Sequence, residues 1–325
     1  MQLTLELNIP ALPDPITYKD QILLIGSCFT EHISERLSRH KFSVLSNPHG
    51  ILFNPLSVAS SLDSYVTDKL YKEGELFYLN ELWNSWDHHT RFSDVEKDAA
   101  LRKINYTQQK GNELIKNADW IMLTLGSAFQ YYLKENKVPV ANNHRAPAQW
   151  FEKKLLSIDI IVDALSQSIQ KINNVNPKAK FLFTISPVRH IRDGVVDNNR
   201  SKARLVEAVH ELCANFAQAN YFPAYELVID ILRDYRYYDI DFVHPNYLAT
   251  EFVWEQFVKS CIAPEAKEIM GQVKEIMTSR AHKTRFPNTE AHKKFLLNNK
   301  QKIEQLTKQY PFLDFTDELE YFSGH

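Results

Sequence analysis

The sequence predicts an α/β fold: a three-layer, doubly wound parallel sheet with a C-terminal helical extension. Three observations lead there. Short apolar runs recur, each closed by a turn residue: residues 22–25 before Gly26, residues 120–125 before Gly126, and residues 180–185 before Ser186-Pro187. Such runs read as strands buried on both faces. Between them lie segments with helical spacing, and each crossover is long enough for a βαβ unit. Beyond residue 260 the spacing is helical only, with no strand pattern.

Taken in order, residues 1–20 alternate and then carry Pro10, Pro13 and Pro15, which predicts an edge strand or arm and then a loop. Residues 22–25 are the first strand. Residues 30–40 are a helix with Ile33 and Leu37 on its apolar face. Residues 42–45 are a second strand, ended by the turn cluster Asn47-Pro48-His49-Gly50. A helix follows Pro55 over 56–62. The aromatic stretch 70–92 is a hairpin or lid, and 94–116 a polar helix. The third strand is 120–125, followed by an amphipathic helix over 150–172. The fourth strand is 180–185, then a helix over 201–219 and a fifth strand over 221–227. Helices are expected over 247–260, 265–280 and 290–310, before an acidic, aromatic tail at 311–325. The expected division is an α/β domain over 1–260 with the helical extension 261–325 packed on it. No internal repeat or low-complexity segment interrupts this pattern.

Composition narrows the partners. Lys and Arg number 38 against 40 Asp and Glu, a net charge of -2, so the basic excess of a nucleic-acid binder is missing. The N-terminus has neither a basic n-region nor a long apolar stretch, and no segment reads as a membrane span. The three cysteines, Cys28, Cys213 and Cys261, are far apart and odd in number, which favours a reducing compartment. The expectation is a cytoplasmic protein with no nucleic-acid partner, no membrane partner and no cofactor.

In a doubly wound sheet, ligands bind beyond the carboxyl ends of the strands. The loops after Ile25, Leu45, Leu125 and Ile185 are therefore expected to line the site. Ser27 stands where the first strand meets a helix. A hydroxyl there is either an N-cap or a nucleophile backed by the free N–H groups of a helix start. A serine nucleophile needs a base. Asp241 and His244, three apart on a loop before a helix, supply one: the carboxylate fixes the imidazole tautomer and leaves the other nitrogen for the serine. Cys28 is an alternative nucleophile or a buried thiol. In Trp83-Asn84-Ser85-Trp86-Asp87-His88-His89, adjacent side chains seldom converge on one metal, so no metal is expected and His89 reads as a cleft residue or a packed histidine. Arg189 and His190 follow the fourth strand and either contact a polar or anionic substrate group or hold their loop down. The Lys-rich stretch 293–308 reads as a solvated helix face.

These residues are similar to the blocks of SGNH (GDSL-like) hydrolases, which carry the nucleophilic Ser after the first strand and Asp-x-x-His in the last block. More closely, the chain resembles the GSCFA-domain family. The naming motif reads Gly26-Ser27-Cys28-Phe29-Thr30, with Thr30 in place of the family's Ala. Further matches are Asn47-Pro48-His49-Gly50-Ile51-Leu52-Phe53-Asn54-Pro55, Leu123-Thr124-Leu125-Gly126-Ser127-Ala128, Val140-Ala141-Asn142-Asn143-His144, Ser186-Pro187-Val188-Arg189-His190 and Asp234-Tyr235-Arg236-Tyr237-Tyr238. The resemblance spans most of residues 20–255 and implies an SGNH/flavodoxin-like sheet. It implies an oxyanion hole from the Ser27 and Gly50 amides. The third-block Gly-x-Asn is missing, because Gly126 is followed by Ser127 and Ala128. Replacement donors are His49, Asn54, Gln130, Asn143 or His144. The resemblance thus implies a serine-dependent ester hydrolase acting on a carbohydrate or small-molecule ester, for example an O-deacetylase. The alternatives are an O-acyltransferase using the same path, or a binding protein on the same fold whose catalytic power is weakened.

Overall fold

The first strand sets the architecture by burying both of its faces. In β1 (Gln21–Gly26), Ile22 and Leu24 point into one hydrophobic core while Leu23 and Ile25 point into another, as the two-residue period of a strand requires. The computed structural model describes residues 5–323. The start of the expected N-terminal strand or arm and the end of the acidic tail lie outside them. Residues 5–20 form a loop whose one ladder contact is the bridge between Ile16 and Ile262.

After β1 come α1 (Cys28–Arg39), β2 (Ser43–Ser46) and α2 (Pro55–Val66). The aromatic stretch resolves into a hairpin, β3 (Leu76–Leu79) and β4 (Leu82–Ser85), followed by α3 (Lys97–Ile115). β5 (Trp120–Leu125) leads into a three-stranded antiparallel sheet of β6 (Phe129–Leu133), β7 (Pro139–Val140) and β8 (Phe151–Leu155), then α4 (Ile158–Val175). The chain continues through β9 (Lys180–Ile185), α5 (Val195–Asn215), β10 (Ala219–Tyr221) and the short α6 (Ala224–Glu226) with a π-turn over Leu227–Leu232. The last helices are α7 (Tyr247–Cys261), α8 (Pro264–Ala281), α9 (Glu290–Gln309) and α10 (Thr316–Phe322).

The main sheet runs β10-β9-β5-β1-β2 and all four of its pairings are parallel. Numbered along the chain, its strands lie 2-1-3-4-5, a doubly wound order whose switch point is beside β1. Residues of α2, α4 and α5 cover one face through Val58, Leu62, Ile161, Leu165, Leu205 and Val209. The other face is covered by α1 and α7 together with the later helices: Ile269, Val273, Ile303 and Phe322 share one core with Ile22, Leu24 and Phe29. Each such fully buried aliphatic or aromatic side chain contributes about 1.5–3 kcal/mol.

Three sequence expectations shift, the first being the helix expected over 201–219, which is Val195–Asn215. The helix expected over 150–172 starts only at Ile158, because Ser157 caps it by accepting from the Ile160 amide, and Phe151–Leu155 is a strand. The fifth strand is shorter and earlier than 221–227, since Pro223 has no N–H to continue a ladder.

Gly26 closes β1 at φ +150°, and a Cβ there would sit 2.2 Å from the Thr124 carbonyl oxygen of the neighbouring strand. Backbone cannot yield as a side chain can. We expect Gly26→Ala to destabilise the fold by about 2–4 kcal/mol, read as a lower urea midpoint. An unchanged midpoint would refute this close approach.

Candidate functional site

Ser27 follows directly from the Gly26 turn and is fully buried. It caps α1: its Oγ accepts from the Phe29 amide at 3.3 Å. Its own N–H donates to Thr124 O at 3.1 Å, because the β1–β5 ladder runs one residue past the strand. The Gly26 amide donates to Asn47 Oδ1 at 2.8 Å, and the Arg91 guanidinium donates to Asn47 O, so the turn after β2 is tied to the Ser27 turn. Gly50, at φ +82°, donates its amide to Asn47 O at 2.7 Å. Both amides that the sequence assigns to an oxyanion are thus engaged by backbone carbonyls.

Asp241 and His244 form a compact unit. His244 Nδ1 lies 2.6 Å from Asp241 Oδ2, while the Val243 and His244 amides donate to Asp241 Oδ1 at 2.9 and 3.0 Å. The backbone N–H of His244 and then its imidazole hold the Asp241 carboxyl down at about 2. The loop is braced internally by Asp239 N–H to His244 O at 2.8 Å and Phe242 N–H to Asp239 O at 2.9 Å. Phe242 is left-handed at φ +57°, unusual for an aromatic residue. Asn246 caps α7 behind it.

The two halves of the site meet through the β9 loop. The Arg189 amide donates to Val243 O at 3.2 Å, and its guanidinium stacks 4.5 Å from the Tyr238 ring. His190 reaches inward: a methyl group added at Gly126 would lie 3.3 Å from both Ser27 Cβ and Phe53 O, and 3.4 Å from His190 Nε2. Ser27, Gly126, Phe53 and His190 therefore enclose one small space. His32, on the first turns of α1, has its pKa lowered by burial first, then by Arg36. No hydrogen bond joins Ser27 and His244 among the described residues, and both His244 and Asp241 are exposed while Ser27 is not.

Other expected residues have structural work. Asn54 is the N-cap of α2, accepting from Ser57 N–H at 2.9 Å. His49 is buried against Gln108 Oε1 at 2.9 Å, and burial pushes its pKa down to about 4. Gln130 is buried and donates to Val140 O at 2.9 Å. His144 pairs through Nε2 with Ser85 O at 2.7 Å. Asn143 and His144 line a cavity together with Tyr131 and Phe151 of the antiparallel sheet. His89 caps a 3-10 turn, with its Cβ against Gly50. His88, buried, meets Ser85 Oγ at 2.8 Å, so neighbouring His88 and His89 serve different contacts. Burial pushes the Cys28 thiol up, which disfavours a thiolate.

One residue escaped sequence reasoning. Lys202 is 1 % exposed and donates to Gly126 O at 2.7 Å and Ser186 O at 2.6 Å. It clamps together the loops after β5 and β9. Its signal is periodic: with Leu205, Val209 and Leu212 it occupies the buried stripe of α5. Asn198, one turn earlier, accepts from the His190 amide at 2.9 Å.

The GSCFA family model matches residues 21–257. The chain belongs to the GSCFA family. A second model, described as the C-terminal domain of GSCFA domain proteins, matches residues 273–324 of this GSCFA protein. The first match holds every strand of the main sheet and the Ser27, Asp241 and His244 positions; the second holds the second half of α8 and all of α9 and α10. No curated protein matches the GSCFA chain. No helix of it is long and apolar enough to cross a membrane, among the described residues.

Proposed function

We propose that this GSCFA protein is a serine-dependent ester hydrolase of SGNH type, acting on a carbohydrate or small-molecule ester. The carrying observation is the preformed Asp241–His244 pair, 2.6 Å apart, on a loop hydrogen-bonded to the β9 loop whose His190 packs beside Ser27. The 2-1-3-4-5 strand order supports the same reading, since it puts Ser27 at the switch point. In this scheme Ser27 Oγ attacks the ester carbonyl as His244 takes its proton. Asp241 stabilises the imidazolium, and the proton passes to the leaving alcohol. Water, activated by the same imidazole, then releases the acid. The first-turn amides of α1 and its dipole favour the oxyanion. Attack requires the 239–244 loop to close on the buried serine. An acceptor alcohol in place of water makes the same path an acyl transfer.

Asp241→Asn tests the pair. Its loss is expected to lower kcat/KM for short p-nitrophenyl esters by about 10³–10⁴-fold. The sign of the pH effect is fixed by the depressed carboxyl. The Asp241 contribution is present above the ordinary carboxylate range and is lost only as pH falls toward about 2. The acid limb of the wild-type pH–rate profile should therefore not report Asp241. A limb near 2, or full activity in the variant, would remove Asp241 from the mechanism.

A second reading is favoured by the engaged amides of Ser27 and Gly50 and by Ala128 in place of the third-block Asn. In it the same edge binds a ligand without turning it over. It expects ligand affinity to be the same in wild type and Ser27→Ala, with no esterase activity in either.

A further inference from the structure

Lys202 is a buried cation with no anion beside it. It is 1 % exposed, and its ammonium donates to two neutral acceptors, Gly126 O at 2.7 Å and Ser186 O at 2.6 Å. No Asp or Glu pairs with it among the described residues. Lysine is almost never fully buried unless paired, because two carbonyls do not offset the loss of its hydration. The clamp on the two loops does not need the charge. Neutral neighbours on the buried side of α5 make comparable ties: Ser201 Oγ accepts from the Ala128 amide at 2.7 Å and Asn198 Oδ1 from the His190 amide at 2.9 Å, and both side chains are buried. The charge is surplus to the packing.

Its place is the carboxyl edge of the sheet. Gly126 follows β5 and Ser186 follows β9, and a methyl group added at Gly126 would lie 3.3 Å from Ser27 Cβ. One residue thus separates the ammonium from the Ser27 turn. Carbonyl oxygens carry the negative ends of peptide dipoles, so bare carbonyls this close oppose any anion at Ser27. The titratable groups facing Lys202 are the Cys28 thiol of α1 and the Tyr225 phenol of α6, whose ring centroid is 5.8 Å from Nζ; His190 stands across Gly126. Burial pushes the thiol and the phenol up, so both stay neutral and neither balances the charge.

We propose that Lys202 is a positioning residue for the reaction at Ser27: its ammonium screens the Gly126 and Ser186 carbonyls and supplies the positive pole for the oxyanion. The role rests on the ester hydrolysis proposed above. It offsets the missing third-block Asn, where the chain has Ala128. Lys202 keeps its own proton throughout, and the Ser27 proton goes to His244 as before. Only the protonated amine acts in this way. Burial lowers its pKa to about 7, so the positive pole is present at lower pH and fades as pH rises through that value. A unit charge this close to the reacting oxygen is worth about tenfold or more in rate.

The test is the pH dependence of kcat/KM for the neutral ester p-nitrophenyl acetate, measured on wild type, Lys202→Met, Lys202→Gln, Cys28→Ser and Tyr225→Phe. Wild type should show a basic limb with its midpoint at about 7, across which the rate falls at least about tenfold to a lower plateau. Both Lys202 variants should lack this limb and run at the lower plateau, with the loss in kcat rather than KM. Cys28→Ser and Tyr225→Phe should keep it. A residue that only held the two loops would give a rate loss that follows the fraction unfolded, with no limb removed. Should neither Lys202 variant fold, wild type carrying ¹³C-labelled lysine decides: the ε-carbon signal that titrates far below the ordinary lysine range should share the midpoint of the limb. Turnover without a basic limb, a limb that survives in a folded Lys202 variant, or a lysine midpoint apart from the limb overturns the proposal and leaves the esterase reading standing. No ester cleaved at any pH overturns that reading and this proposal with it.

Discussion

Ser27→Ala is expected to abolish covalent capture of a fluorophosphonate and to lower ester turnover by at least about 10³-fold. Peptide mapping of the wild-type adduct should return Ser27. The variant also loses the cap of α1, because Oγ accepts the Phe29 amide, at a cost of about 1 kcal/mol. Stability must be read alongside rate. Ser27→Gly separates the two effects, since glycine at a cap costs only a few tenths of a kcal/mol. It should be nearly as stable as wild type and as inactive as the alanine variant. Labelling at Cys28 instead, or wild-type turnover in either variant, would move the nucleophile elsewhere.

Lys202→Met is expected to destabilise the protein about as much as Gly26→Ala. The Lys202 ammonium serves two buried carbonyls, and leaving both without a donor costs about 2–4 kcal/mol. Denaturant unfolding measures this directly. The pH dependence gives an independent readout. Burial lowers the Lys202 pKa to about 7, whereas the unfolded chain holds that proton to the ordinary lysine range. Between those values the unfolded state binds more protons, so this residue makes stability rise with pH. Below about 7 both states are protonated and the slope vanishes. The wild-type minus variant difference should therefore steepen between pH 7 and about 10. Parallel curves through that window would mean Lys202 keeps its proton when folded.

The sequence showed most plainly what burial on two faces imposes. Apart from Thr124, Lys180 and Thr184, residues 120–125 and 180–185 are apolar because α-helices cover both sides of β5 and β9. The β6-β7-β8 sheet was not legible. Phe151-Glu152-Lys153-Lys154-Leu155 does not alternate, since three charged residues lie in a row between its apolar ends, and it runs into the helical spacing of α4. Ser27, Asp241 and His244 were readable as types at meaningful spacings. The destinations of the Ser27 and Gly50 amides were not, because they depend on the β1–β5 register and on the left-handed Asn47 at φ +47°. Lys202 could have been found: a lone lysine in the apolar stripe of α5 needs acceptors inside the protein.

The helix that Ser27 caps is anchored at its far end by residues made much later. Lys41, just past α1, meets the buried Glu318 of α10 at 2.7 Å, and Arg280 of α8 holds the same carboxylate at 2.8 Å. During synthesis at about 5–20 residues per second, Glu318 follows Ser27 by roughly 15–60 s. Throughout that interval the α1 face of the sheet lacks the apolar cover of α8–α10 and the partner of Lys41. A ribosome stalled before α10, or a chain cleaved between α7 and α8, thus leaves Ser27 on a helix with a bare greasy flank. Such a nascent chain keeps apolar surface in water until it has passed residue 318.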